Sequence, residues 1–152
     1  MEISHILTAD RVACGVEAGS KKKALEQLSG LLAKASPELV PTDIFDTLYR
    51  RETLGSTGLG RGVALPHGRL EPLDRTVGAF VRTAGGIDFD AADGEPVDLL
   101  FALLVPAQAT DEHLRILSRL AERFRDADLR ERLRGAEHAG DLFGLLTTQP
   151  PH

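Results

Sequence analysis

Residues Val97 to Val105 read VDLLFALLV, apolar at almost every position, and Pro106 closes the run. A strand with one wet face alternates polar and apolar residues; this one does not, so both of its faces must be covered. At nine residues the run suits a strand and is far too short to cross a bilayer. A chain with such a strand needs helices above and below a sheet, and the rest of the sequence supplies them. Asp98 is the exception in the run and is expected at the strand's entrance.

Ser20 is placed to cap a helix over residues 21–35, in which Ala24, Leu25, Leu28, Leu31 and Leu32 recur at the helical period. Ser36-Pro37 stops it. Thr42 is the expected cap of a second helix from Asp43 to about Arg51, with Ile44, Phe45, Leu48 and Tyr49 as its apolar stripe and Arg50-Arg51 at its C-terminal end. Thr110 is expected to cap a third, Asp111 to about Arg125, and shorter helices follow at 128–134 and 141–146. Val12–Val16 and Thr76–Val81 read as strands, Gly85-Gly86 and Asp93-Gly94 as turns, and Ile87–Phe89 as a short strand. Ile3–Leu7 reads as a short helical turn. The 152 residues fit one domain, with no repeat, linker or shift in composition to divide them.

Between the second helix and the buried strands lies RETLGSTGLGRGVALPHGRL, residues 51–70. Four glycines, at 55, 58, 60 and 62, leave backbone N–H groups uncovered and allow positive φ or close approach of a ligand. Pro66 ends the short apolar run Val63-Ala64-Leu65, and Gly68 leaves the far side of His67 free of side-chain bulk. His67 is either an incidental residue in a surface turn or a ring with one nitrogen held and the other presented. His113, in the first turn of the third helix, is either solvated or part of an anion-friendly helix start. His5, His138 and His152 belong to no such pattern.

Net charge is −5, so there is no broad basic field for nucleic acid. A single cysteine, Cys14, excludes an internal disulfide and a cysteine-rich metal site; it is expected to pack as a small apolar residue. No signal peptide or spanning segment is visible, which predicts a soluble cytoplasmic protein without direct membrane insertion. The glycine loop lacks the lysine and hydroxyl of a nucleotide-binding P-loop. It leads into a strand where a dinucleotide fingerprint needs a helix. No GxSxG elbow occurs, and too few ligands converge for zinc, so neither metal nor cofactor is expected. What remains is a histidine nucleophile toward a phosphoryl group, with loop amides, hydroxyls and an arginine on the oxygens.

The stretches RETLGSTGLGRGVALPHGRL, GIDFDAADGEPVDLLFALLVP and DEHLRILSRLAERFRD, with KKKALEQLSGLLAK before them, resemble the enzyme IIA components of the bacterial phosphoenolpyruvate-dependent phosphotransferase system. The likeness is to the fructose/mannitol-type superfamily, and within it to the nitrogen-regulatory branch. It implies an α/β fold, a single-domain sandwich with a central mixed β-sheet flanked by helices on both faces. Residues 1–147 would form that domain and 148–152 a flexible tail. Carried onto this sequence, the resemblance implies that His67 is phosphorylated through Nε2. His113 would support the site without being phosphorylated, and Arg51 would approach the phosphoryl oxygens. Ser56, Thr57 and Gly58 are the phosphoryl-loop candidates. Arg61 stands where relatives often carry a small polar residue, and it either adds to the field at His67 or points outward.

The function implied is a phosphocarrier that takes its phosphoryl group from an HPr/NPr-like protein, carries it covalently on His67 without a cofactor, and regulates targets by its phosphorylation state. Potassium transport proteins and sensor kinases are the targets this branch suggests. The alternatives are a IIA component handing phosphoryl to a IIB component in fructose or mannitol import, and a non-catalytic interaction module.

Overall fold

The computed structural model describes residues 2–71, 73–108 and 111–148. Its centre is β6 (Val97–Pro106), the unbroken apolar run. Successive side chains of a strand leave on opposite faces. Here Leu100, Ala102 and Leu104 enter one core, while Leu99, Phe101, Leu103 and Val105 enter another. The first core is closed by α1 (Lys21–Leu32) and α2 (Pro41–Leu54), the second by α3 (Glu112–Phe124), α4 (Ala127–Gly135) and α5 (Ala139–Thr147). Two cores on one strand make the three-layer α/β sandwich that the unbroken run requires.

The sheet is mixed. In order, β1 (Val12–Val16), β5 (Val77–Ile87), β6, β3 (Val63–Ala64) and β2 (Gly58–Gly60) lie side by side, and β4 (His67–Leu70) also pairs with β6. The pairs β1–β5, β3–β6 and β4–β6 are parallel, whereas β5–β6 and β2–β3 are antiparallel. β3 and β4 follow the same edge of β6, Val63 opposite Leu99 and His67 opposite Leu103. The Leu103 N–H donates to the Pro66 carbonyl at 2.9 Å, so the Leu65-Pro66 interruption stays attached to the sheet.

Several boundaries differ from the sequence reading. α1 has the expected cap, with Ser20 Oγ accepting from the Lys23 N–H at 3.1 Å, but its last residues, 33–35, tighten into a 3₁₀ turn. α2 begins at Pro41 with Val40 as its cap, so Thr42 lies inside the helix. Proline is suited to the first helical position, where its missing N–H has no partner to lose. Gly85-Gly86 is not a turn: β5 runs through both, with an irregular register between Arg82 and Ile87. Gly86 is needed for space there, since a Cβ on it would stand 2.7 Å from the ring of Pro96. The expected cap Thr110 and the end of the tail, 149–152, lie outside the described residues. Asp111 precedes α3 without a side-chain capping bond.

The glycine loop is the largest correction. Gly58–Gly60 and Val63–Ala64 form a hairpin joined by Arg61-Gly62, whose φ angles are +58° and +81°. Positive φ at both central positions is what a two-residue turn of the I′ kind demands. These glycines shape a hairpin whose turn is further held by Asp93, which accepts from the Arg61 N–H at 2.8 Å.

Gly68 also has a role different from the one expected. A Cβ there would lie 2.5 Å from Cγ2 of Thr47, so its bareness lets α2 lie close against β4. Gly68→Val should overpack this contact and lower stability by about 1–3 kcal/mol, measured by urea unfolding. An unchanged midpoint would show that α2 yields without cost.

Candidate functional site

Where α2, β4 and the first turn of α3 meet, a cavity of about 540 Å³ opens. His67 reaches it from the start of β4, Arg50 and Arg51 from the last turns of α2, Arg69 from β4 and His113 from α3. Leu103, Val105, Leu114 and Leu117 supply apolar wall. No carboxylate lines it among the described residues, so a chain of net charge −5 presents a concave, cationic surface here.

The backbone decides how His67 is presented. Its Nδ1 lies 2.8 Å from the Leu65 carbonyl oxygen, which can only accept, so in the neutral ring Nδ1 carries the proton. The lone pair is thereby assigned to Nε2, which has no hydrogen bond among the described residues. Burial holds the ring's pKa below the ordinary histidine range. The Leu65 bond opposes that shift, the Arg51 guanidinium reinforces it, Glu52 opposes it and His113 reinforces it more weakly. The result is a neutral imidazole at pH 7 with one free nitrogen, the form in which imidazole is nucleophilic.

This shift has a sign in stability. A base whose folded pKa lies below its unfolded value binds fewer protons when folded, so stability rises with pH across the window between the two values. The His67 contribution is complete above the unfolded value near 6.5 and is lost as pH falls through the lower folded value. His67→Gln should therefore flatten the stability profile just below pH 6.5, read from urea midpoints across that range. An unaltered slope would place the titration elsewhere.

His113 is the second residue of α3. Arg69 Nη2 stands 3.2 Å from its Nε2, and because a guanidinium only donates, that nitrogen accepts. In the neutral ring the proton then sits on Nδ1, which is buried and has no hydrogen-bond partner. A buried donor without an acceptor is costly, and this one belongs to a residue that lines the cavity. Arg51 Nη1 donates to the Gly55 carbonyl at 2.9 Å, an exposed bond that fixes the guanidinium beside the cavity.

The cavity thus brings together His67, His113 and Arg51, which the sequence reading had grouped. Ser56, Thr57 and Gly58 do not line it. Ser56 Oγ donates to the Phe89 carbonyl at 2.6 Å and accepts from the Gly58 N–H at 3.0 Å. Thr57 is buried, its hydroxyl on the carboxylate of Glu52 and its N–H on the same carboxylate at 3.3 Å. These groups hold the loop in place. Arg61 is exposed at the hairpin turn and is likewise absent from the His67 cavity. Arg69 was missed: one basic residue after a Pro-His-Gly corner has no periodicity or motif, and only the pairing of β4 with β6 brings it to α3. Glu52 was missed because a glutamate near the end of a helix looks solvated. Its side chain is instead 2% exposed and paired with Lys21 at 3.2 Å.

No group of histidine, cysteine and acidic side chains suited to a metal ion occurs among the described residues, nor does a helix long and apolar enough to cross a membrane.

Comparison with known proteins gives this geometry its family. The chain is 45% identical over 146 residues to the nitrogen regulatory protein of Pseudomonas aeruginosa, covering 96% of this chain and 95% of that one. It is 45% identical over 148 residues to the nitrogen regulatory protein of Escherichia coli K12, covering 97% and 90%. The crystal structure of nitrogen regulatory protein IIA-Ntr from Neisseria meningitidis superposes with a TM-score of 0.89 at 46% identity, covering 95% of this chain and 99% of that one. The model of the phosphoenolpyruvate-dependent sugar phosphotransferase system EIIA 2 family matches residues 5–148, and the chain belongs to that family.

Proposed function

We propose that the protein is a phosphocarrier of the nitrogen type, in which His67 accepts a phosphoryl group at Nε2 from the phosphohistidine of an HPr/NPr-like protein. The observation that carries this reading is the Nδ1–Leu65 bond, which commits one ring nitrogen and leaves the other free over a cationic cavity. In the transfer, the bond from Nε2 to phosphorus forms as the donor's nitrogen–phosphorus bond breaks. The Nδ1 proton stays on its bond to Leu65. No cofactor takes part; the phosphoryl group itself is carried on the ring.

Phosphoryl transfer asks the protein mainly for positioning and for charge opposite the oxygens. Arg51 supplies charge beside the ring, and the partnerless Nδ1–H of His113 is a donor in want of an acceptor. The added group brings about −1.5 to −2 charges by analogy with other phospho-residues. That cancels much of the positive charge of a surface flanked by the exposed apolar side chains of Leu54 and Leu114. A partner that buries this surface would bind one form and reject the other, which is how phosphorylation state becomes a signal to potassium transport proteins or sensor kinases. The relatives named nitrogen regulatory proteins favour this output over hand-off to a sugar-specific IIB component.

The test is to phosphorylate the protein with purified donors and locate the group by two-dimensional ¹H–¹⁵N and ³¹P NMR of the histidine rings. A phosphoramidate at Nε2 of His67 is expected. Phosphorus at Nδ1, or on another residue, would overturn the assignment.

A further inference from the structure

A second cavity, of about 630 Å³, lies between the β2–β3 hairpin and the junction of α3 with α4. It is not the His67 site, and no residue lines both. Its apolar floor is Val63, Ala121 and Phe124, and around that floor stand Arg61, Arg125 and Arg130. No carboxylate lines it among the described residues.

Arg130 is built into the fold. Only 7% of it is exposed, and its Nη1 donates to the carbonyls of Phe124 and Arg125 at 2.8 Å each, closing the C-terminal end of α3. That leaves Nε and Nη2 without a hydrogen bond among the described residues, on a residue that lines the cavity. The side chains of Arg61 and Arg125 have neither a hydrogen bond nor an ion pair among the described residues. Of the acids on the far side of Arg61 and Arg130, Asp98 is paired with Arg134 at 2.9 Å, Asp93 accepts from the backbone of Arg61 and Glu95 and also attracts the Arg61 guanidinium, and Glu95 lies with them outside this cavity. Three guanidiniums thus surround an apolar concavity whose volume is in the range that holds small organic ligands. A buried, pre-fixed cation with unused donors is suited to the planar, two-pronged recognition of a phosphate or carboxylate.

We propose that this cavity is a binding site for a small phosphorylated organic molecule with a flat apolar body, of the size of a nucleoside monophosphate. The phosphate lies against Arg61, Arg125 and Arg130, and the apolar body covers Val63 and Phe124. The site is independent of His67 chemistry and stands whether or not that ring is phosphorylated.

Adenosine monophosphate, adenosine and inorganic phosphate are the probes, titrated into the ¹⁵N-labelled full chain. The expected result is that the monophosphate shifts the amides of residues 59–61, Ala121 and Phe124, that adenosine does not, and that inorganic phosphate binds more weakly. Arg61→Gln and Arg125→Gln should each weaken the monophosphate about tenfold, the loss of one charge-assisted hydrogen bond. Both residues are exposed and can be replaced without disturbing the α3 end that Arg130 closes. His67→Ala should leave the titration unchanged. Shifts centred on Thr47, His67 and Gly68, undiminished binding in the Arg61→Gln/Arg125→Gln double variant, or no shift at millimolar monophosphate would each overturn the proposal.

Discussion

His67→Ala should take up no acid-labile, base-stable phosphoryl group from purified phosphodonors, whereas His113→Ala should still be labelled, about 10²-fold more slowly. On the proposed assignment the first loss is complete because the group removed would form the bond to phosphorus, and the other ring is placed differently. Arg69 occupies the Nε2 lone pair of His113, and in the neutral ring Nδ1 carries the proton, so neither nitrogen presents a free lone pair to a donor. The second loss is partial because His113, on the same assignment, would act only on charge already being transferred. Removing one positioned donor from such a site typically costs a factor of about 10²–10³. His67→Gln, which keeps a polar side chain of similar bulk at the half-buried position, separates loss of the nucleophile from loss of fold. The measurement is single-turnover transfer followed by stability of the label in acid and base. Normal labelling of either His67 variant would sink the assignment, as would a label that moves to His113.

The second large effect lies away from the chemistry. Lys21→Met should cost about 3 kcal/mol, because it leaves the Glu52 carboxylate buried without its cation. With about 2–4 °C lost per kcal/mol in a chain of this size, the thermal midpoint falls by about 6–12 °C. Methionine retains much of the stem that lies along Phe89, whose ring centre is 4.6 Å from Lys21 Nζ, so the loss reports mainly the charge. Some water reaches Lys21, whose side chain is 18% exposed, which is why the expected figure sits at the low end for a broken buried pair. The Lys21→Met/Glu52→Gln double variant should recover most of the loss, since the glutamine oxygen can accept from the Thr57 N–H while its NH2 donates to the Thr57 hydroxyl, with no charge left buried. Calorimetry on the two single variants and the double closes the cycle. A double variant no more stable than Lys21→Met would show that packing, and not the uncompensated charge, was responsible.

Which parts of this molecule could be read from its residues follows from how local each signal is. The unbroken run of β6, the leucine stripe of α1 and the Ser20 cap depend on neighbours within a few positions, and each was legible. That the His67 ring has one nitrogen held and the other free was legible as one of two readings of a sequence-local corner, although the group that holds it, the Leu65 carbonyl, was not. The hairpin was not, because glycines at 58, 60 and 62 satisfy a phosphate cradle and an I′ turn equally well until the partner strand is known. Gly85-Gly86 misled for a similar reason. A glycine pair usually marks a turn, but here one member makes room for Pro96 across the sheet. Arg69, Glu52 and the Thr47–Gly68 contact are tertiary facts between residues far apart in the chain, and no spacing rule reaches them.

The division of β6 between two cores has a consequence for how the molecule comes apart. Neither helical layer can detach by itself and leave a soluble remainder, because doing so would bare one whole side of a strand whose reverse is still covered. Such a half-opened form would offer a flat greasy slab to its neighbours. The shared strand therefore ties the layer that carries Arg51 to the layer that carries His113, and the candidate site between them persists or vanishes as a unit with the whole domain.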